Sequence, residues 1–272
     1  MLIRLGRKKP KSMASVVRGA QLYLRLLSAA GVFLSLFSHS AQADLPRPCG
    51  GGNCGTKGPA NWVSYGKASM SVGANRKGGS TLRVHQAKGA DKVILNWETF
   101  NIAVNNEVKF EQPSSESVAL NRVWDPKGQP SQILGSLTAN GQVLVINRNG
   151  IVFGAQSQVN MHTLVASTLD VEDRIFQQGL LTANKEERAA FSVSGDAKPG
   201  ASITVQPGAR LVSDAGGRIM LLAPNVENAG RIETPDGQAV LAAGEKVWLA
   251  AGDGKGLRGL VVEVDGGGEA KN

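Results

Sequence analysis

Aromatic side chains are scarce here, at 5% of 272 residues. A compact globule of this length normally carries larger rings in its core, so their shortage points to a thin, repetitive core of small β-formers. Cysteine is nearly absent, with only Cys49 and Cys54. Two thiols without a nearby His fall short of a four-ligand zinc site. No Gly-x-Ser-x-Gly elbow and no G-x-x-x-x-G-K-[ST] loop occurs, which leaves a hydrolase triad and a phosphate loop without support. No apolar run approaches the ~20 residues that a membrane span requires.

Acidic residues are missing from positions 1–43, which hold seven basic ones (Arg4, Arg7, Lys8, Lys9, Lys11, Arg18 and Arg25). Removing those seven from the 30 basic residues leaves 23 against 22 acidic, so the body is nearly neutral although the whole chain carries +8. Nucleic acid is therefore not indicated as a partner. The basic stretch precedes "LLSAAGVFLSLF", Leu26 to Phe37, and then "SHSAQA" before Asp44. This order reads as an extended signal peptide over 1–43, cleaved between Ala43 and Asp44 after the small-x-small run Ala41-Gln42-Ala43. An uncleaved anchor is the alternative, and the short apolar run argues against it. Export to an oxidising compartment would let Cys49 and Cys54, in "CGGGNC", close a local disulfide within a 44–59 segment.

Glycine is abundant, with 34 residues, and it punctuates repeats. "GARLVSDAGGRIMLLA" starts at Gly208 and "GRIETPDGQAVLAAG" at Gly230, a period of 22 residues; "GSLTANGQVLVI", Gly135 to Ile146, follows the same plan. Each copy runs Gly, short apolar strand, turn ending in Gly, a polar residue (Gln142, Arg218 or Gln238), then a stronger apolar strand. Strands joined by tight turns at that period predict an all-β solenoid, followed by a Gly-rich tail at 266–272. A β-sandwich is the alternative. The first strands are expected near Ala68–Val72, Thr81–His85, Val93–Trp97 and Val108–Phe110. The charged stretch 170–191 predicts a helical or loop excursion, with a brief helix from Asp170 to Gly179.

Within "GQVLVINRNGIVFG", the apolar runs Val143–Ile146 and Ile151–Phe153 flank Asn147-Arg148-Asn149-Gly150. Asn at the first and Gly at the fourth position suit a type I turn, which would carry the chain around a solenoid corner. A hairpin on Asn149-Gly150 is the alternative; the flanking repeats favour the corner.

The tract from "NWETFNIAVNNEVKFEQPSSESVALNRV" through "GSLTANGQVLVINRNGIVFG" to "VNMHTLVASTLD" resembles the haemagglutination activity domain. This is the N-terminal two-partner-secretion domain of filamentous-haemagglutinin-type exoproteins. The resemblance covers roughly 60–265 and implies a right-handed parallel β-helix there. It also implies secretion from a Gram-negative cell through a partner outer-membrane transporter with periplasmic POTRA domains. The family's Asn-Pro-Asn-Gly-Ile signature falls on Asn147, Arg148, Asn149, Gly150 and Ile151. Arg148 is the departure, and losing the usual Pro costs about 0.4–1 kcal/mol through a freer unfolded chain. A second signature, Asn-Pro-Asn-Leu, is absent; "ALNRV", with Asn121 and Arg122, looks like another subgroup's pattern. These seven residues are the expected transporter-recognition set. The family name also implies a host glycan or cell-surface ligand.

Other candidates are weaker. Asp214 and Asp236 share an offset from Gly208 and Gly230. A stacked pair could bind calcium or serve a freestanding β-helix polysaccharide lyase or hydrolase, the rival reading; Asp before Gly in a turn explains both more simply. His85 and His162 lack ligand neighbours, and Trp62, Trp97, Trp124 and Trp248 suit packing better than a carbohydrate platform. No cofactor is expected. The last strand, before "DGGGEAKN", lacks a polar capping coil, so the piece could be the start of a longer stalk.

Overall fold

The computed structural model describes residues 45–181, 189–195, 200–251 and 260–272. The described residues all belong to one compact unit. The proposed signal peptide and its Ala43–Asp44 cleavage point lie outside the described residues.

The described chain is all-β apart from one short helix. Three ladders of parallel strands run through it. One joins Ser80–Gln86, Glu107–Glu111, Ser136–Ala139, 158–160, 210–212 and Arg231–Glu233. A second joins Lys92–Thr99, Val118–Val123, Gln142–Ile146, 163–167, 218–223 and Gln238–Ala243. The third joins Ser131–Ile133, Ile151–Phe153, Ser202–Val205, Asn225–Asn228 and Glu269–Lys271. The chain visits the ladders in turn; the first lap adds a strand to the first two and only the isolated bridge of Ile102 with Ile133 to the third. The four early strands expected from sequence fall at Ala68–Ala74, Ser80–Gln86, Lys92–Thr99 and Glu107–Glu111.

Alternation of side chains gives the second ladder two apolar faces. Val93, Leu95, Trp97, Val143, Val145 and Leu164 point into the shared interior, where Trp97 stacks edge-on against Phe100 at 5.6 Å. Ile94, Leu120, Leu144, Val165 and Met220 point outward and are buried too. Their cover is the excursion. It holds a helix, α1, at Asp173–Gln178, and the strand Phe191–Ser192, which pairs antiparallel with Lys246–Ala251. This second core accounts for the continuous apolar runs of the second-ladder strands, which are buried on both faces.

The helix begins three residues later than expected. Asp170 is extended because it exchanges backbone hydrogen bonds with Ser192, at 2.9 and 3.0 Å. Gly179 closes the helix at φ 113°, and its N–H donates to Ile175 O at 2.9 Å.

Register also refines the 22-residue period. Arg210 lies opposite Arg231 and Arg218 opposite Gln238, spacings of 21 and 20 residues. The differences are absorbed in the turns, where extra residues do not disturb pairing. At the N-terminal end, Ala68–Ala74 pairs antiparallel with Ser80–Gln86, while Arg47–Pro48 and Val63–Tyr65 pair antiparallel with Lys92–Thr99. These strands cover edges that would otherwise be open to pairing with another chain.

Candidate functional site

The interruption at 147–150 is a corner. Gln142–Ile146 and Ile151–Phe153 belong to different ladders and pair in parallel with their neighbours on both sides, never with each other. The hairpin alternative is thereby excluded. Gly150 N–H donates to Asn147 O at 3.0 Å, which closes the turn. Asn147 Oδ1 accepts from Asn149 N–H at 2.9 Å, while Asn147 Nδ2 donates to Gln129 O at 3.2 Å and Ser131 Oγ at 3.0 Å. One side chain thus shapes its own turn and ties it to the preceding lap. Gly150 adopts φ 118°, and a Cβ there would lie 3.1 Å from Ser202 O. Both the conformation and the space call for glycine.

Most of the expected recognition set is buried: Asn121 and Ile151 are 0% exposed, Asn147 1% and Arg122 7%. Asn121 accepts from Trp97 Nε1 at 2.9 Å and donates to Leu144 O at 3.1 Å. Arg122 donates to Asp170 Oδ1 at 2.9 Å, to Asp173 Oδ1 at 2.8 Å and to Val171 O at 2.6 Å. It fastens the excursion to the outer face of the second ladder. Only Arg148 and Asn149 reach solvent in part.

Arg148 has its own environment. Its guanidinium lies 4.9 Å from the Trp124 ring centroid, and Nη1 donates to Ser194 Oγ at 3.0 Å. The charge therefore bridges the corner to the excursion, a role no proline could fill. Beside it, residues of 54–57, 123–126 and 148–149 line a cleft of about 300 Å³. One wall carries the Cys49–Cys54 disulfide, with a Cα separation of 5.5 Å. That N-terminal segment is held by Glu98, which is buried and accepts from Arg47 and from Asn53 Nδ2 at 2.6 Å. The carboxylate in turn holds the Arg47 guanidinium above its ordinary range.

The remaining candidates are scattered. Asp236 sits at φ 50° in the turn closed by Gly237 N–H to Thr234 O, and Gly216 N–H donates to Pro235 O across the laps. Asp236 thus sits in a turn as expected, whereas Asp214 lies within the continuous strand Arg210–Ala223, where pairing shifts register opposite 161–163. No group of three or more His, Cys, Asp or Glu that could hold a metal occurs among the described residues. His85 is exposed on the first ladder, and His162 is half-buried at the shift between the first- and second-ladder parts of Gln158–Ser167. Trp97 is buried, Trp62 packs on it at 5.5 Å, and Trp124 lies under Arg148.

Sequence reasoning missed Trp124, Ser194, Asp170 and Asp173 as partners of the corner and of Arg122. Their separations of 24 to 51 residues give no local pattern; only the charge of 170–173 hinted at a basic partner.

Residues 65–266 match the family model described as the TPS secretion domain. Two heme/hemopexin-binding proteins of Haemophilus influenzae are similar: one is 45% identical over 85 residues, covering 31% of this chain and 9% of that protein. The other, from strain KW20/Rd, is 44% identical over 94 residues, covering 35% and 10%. The chain thus spans about a tenth of the length of these relatives. The crystal structure of the HMW1 secretion domain from Haemophilus influenzae superposes with a TM-score of 0.55 at 31% identity, covering 69% of this chain and 45% of that one.

Proposed function

This chain belongs to the TPS secretion domain family, and from that premise we propose that it carries the signal for its own export through a partner outer-membrane barrel with periplasmic POTRA domains. TPS domains work with outer-membrane transporters and are secreted by Gram-negative bacteria. The reading extends to a signal peptide removed at Ala43–Asp44, a right-handed parallel β-helix over 60–265, and the N-terminal position in a filamentous-haemagglutinin-like adhesin.

The observation that carries this reading is the burial of Asn121, Arg122, Asn147 and Ile151. Side chains already spent on the folded corner, on the second ladder and on the excursion are accessible to a transporter only before folding. The chain therefore crosses the periplasm extended, POTRA domains read its early strands through backbone hydrogen bonds, and each lap folds outside on the one before it. Folding beyond the barrel biases transport outward without ATP. Arg148 and Asn149 remain the two signature residues that a partner could still touch after folding.

The test is secretion from a Gram-negative host with and without the cognate transporter, paired with binding of the isolated POTRA domains to folded and to urea-unfolded, rapidly diluted chain. Release that requires the transporter, with POTRA binding confined to the unfolded chain, is expected. Release without any transporter would overturn the export reading. Equal POTRA binding to folded chain would overturn recognition before folding.

A further inference from the structure

The outer face of the second ladder is not fully filled by its cover. Between it and the excursion lies a cavity of about 220 Å³. Leu144, Val165 and Met220, on adjacent strands, form its floor, and Phe176, Leu180 and Leu249 face them.

Two residues back along the same strands, on the same face, the floor changes character. Gln142, Thr163 and Arg218 lie directly opposite one another in register and also line the cavity. Neighbouring strands stand about 4.8 Å apart, so the three side chains form a short polar row at the edge of an apolar cleft. Thr163 is 5% exposed, and its Oγ1 is buried with no hydrogen-bond partner. A buried hydroxyl left unpaired is costly unless something completes it. Arg218 makes no ion pair among the described residues, and its register neighbours, Thr163 and Gln238, are both neutral. Lys92, which donates from Nζ to Gln177 O at 2.7 Å, stands in the same register row but four strands from Arg218, roughly 19 Å away by strand spacing, so Arg218 is the cation at this end of the cavity.

We propose that this cavity binds a free fatty acid of medium chain length, its carboxylate on Arg218, Thr163 and Gln142 and its chain along Leu144, Val165 and Met220. One unpaired guanidinium flanked by two neutral donors matches a monoanion rather than a phosphate dianion. The apolar floor and roof match an alkyl chain. The volume is smaller than the ~300–1,000 Å³ of drug-sized ligand sites, which restricts the tail to a short or medium one. The site is independent of the transporter, so its fate does not bear on the export reading.

The test is isothermal titration of the folded exported chain with hexanoate, octanoate and decanoate below their micelle concentrations, and with 1-octanol. Saturable one-to-one binding is expected, with affinity rising about fourfold per added methylene until the cleft is full. Arg218→Met should weaken octanoate by roughly ten- to a hundred-fold while leaving 1-octanol unchanged. Thr163→Val, nearly isosteric, should weaken octanoate by less, and its urea midpoint checks that the fold persists. The proposal is overturned if wild type shows no saturable binding, if Arg218→Met binds octanoate as wild type does, or if that substitution weakens the acid and the alcohol equally.

Discussion

Asn147→Ala isolates what the corner contributes. The substitution removes three hydrogen bonds together: the acceptor for Asn149 N–H and the donors to Gln129 O and Ser131 Oγ. Each is worth about 0.5–1.5 kcal/mol net, with a further penalty wherever a partner stays buried and unpaired. Asn147 is 1% exposed, so water cannot readily replace the lost amide. The expected loss is about 2–4 kcal/mol, a large share of a typical stability of ~5–15 kcal/mol. Urea unfolding should show a lowered midpoint at an unchanged slope. Asn147→Asp separates the two functions of the side chain: it keeps the acceptor for Asn149 but loses the donors and buries a charge, so it should rescue nothing. A loss below about 0.5 kcal/mol for Asn147→Ala would refute the reasoning, because it would mean that the turn holds without its anchor.

Arg122→Met strands the partly exposed Asp170 and Asp173 and should cost about 2 kcal/mol or more, with faster proteolysis in 168–195 as the local readout. Gly150→Ala places a Cβ near Ser202 O at a φ that alanine resists, so thermal unfolding should reveal a loss of at least about 1 kcal/mol. Reducing the Cys49–Cys54 bond, which closes so short a loop, should cost about 2 kcal/mol, seen as faster hydrogen exchange confined to the N-terminal strands. Hydrogen bonding from Lys109 holds Glu111 below its ordinary value of 4.5, and hydrogen bonding from Arg210 does the same for Glu233. The stability from these depressed carboxylates is fully present above that value and is lost as pH falls through the lower folded-state ones. Because both are partly exposed, added salt should flatten this acid-side slope in a pH series of unfolding midpoints.

The repeated Gly, strand, turn and strand pattern was legible because each lap must turn sharply and then bury a face, and both demands are local. Gln142, Arg218 and Gln238 do share one row, as their places in the pattern suggested. Thr163, also in that row, went unnoticed because its lap, Gln158–Ser167, reaches it without a preceding Gly. The corner at 147–150 was legible as a turn, but its direction was not. Asn-Arg-Asn-Gly suits a hairpin as well as a corner, and only pairing with laps on either side separates them.

Sequence alone determined the β character, the approximate period, the turn residues, the placement of the excursion and the near-neutral body, because composition, glycine spacing and charge are properties of short stretches. Tertiary structure alone decided which signature residues face inward, that Arg122 clamps the excursion, that Arg148 rests on Trp124, and that an apolar cleft edged by Gln142, Thr163 and Arg218 lies beneath α1. Each of these depends on segments about 20 to 90 residues apart meeting in space. No local periodicity encodes such a meeting, because the length of each intervening lap is set by turns that tolerate added or missing residues.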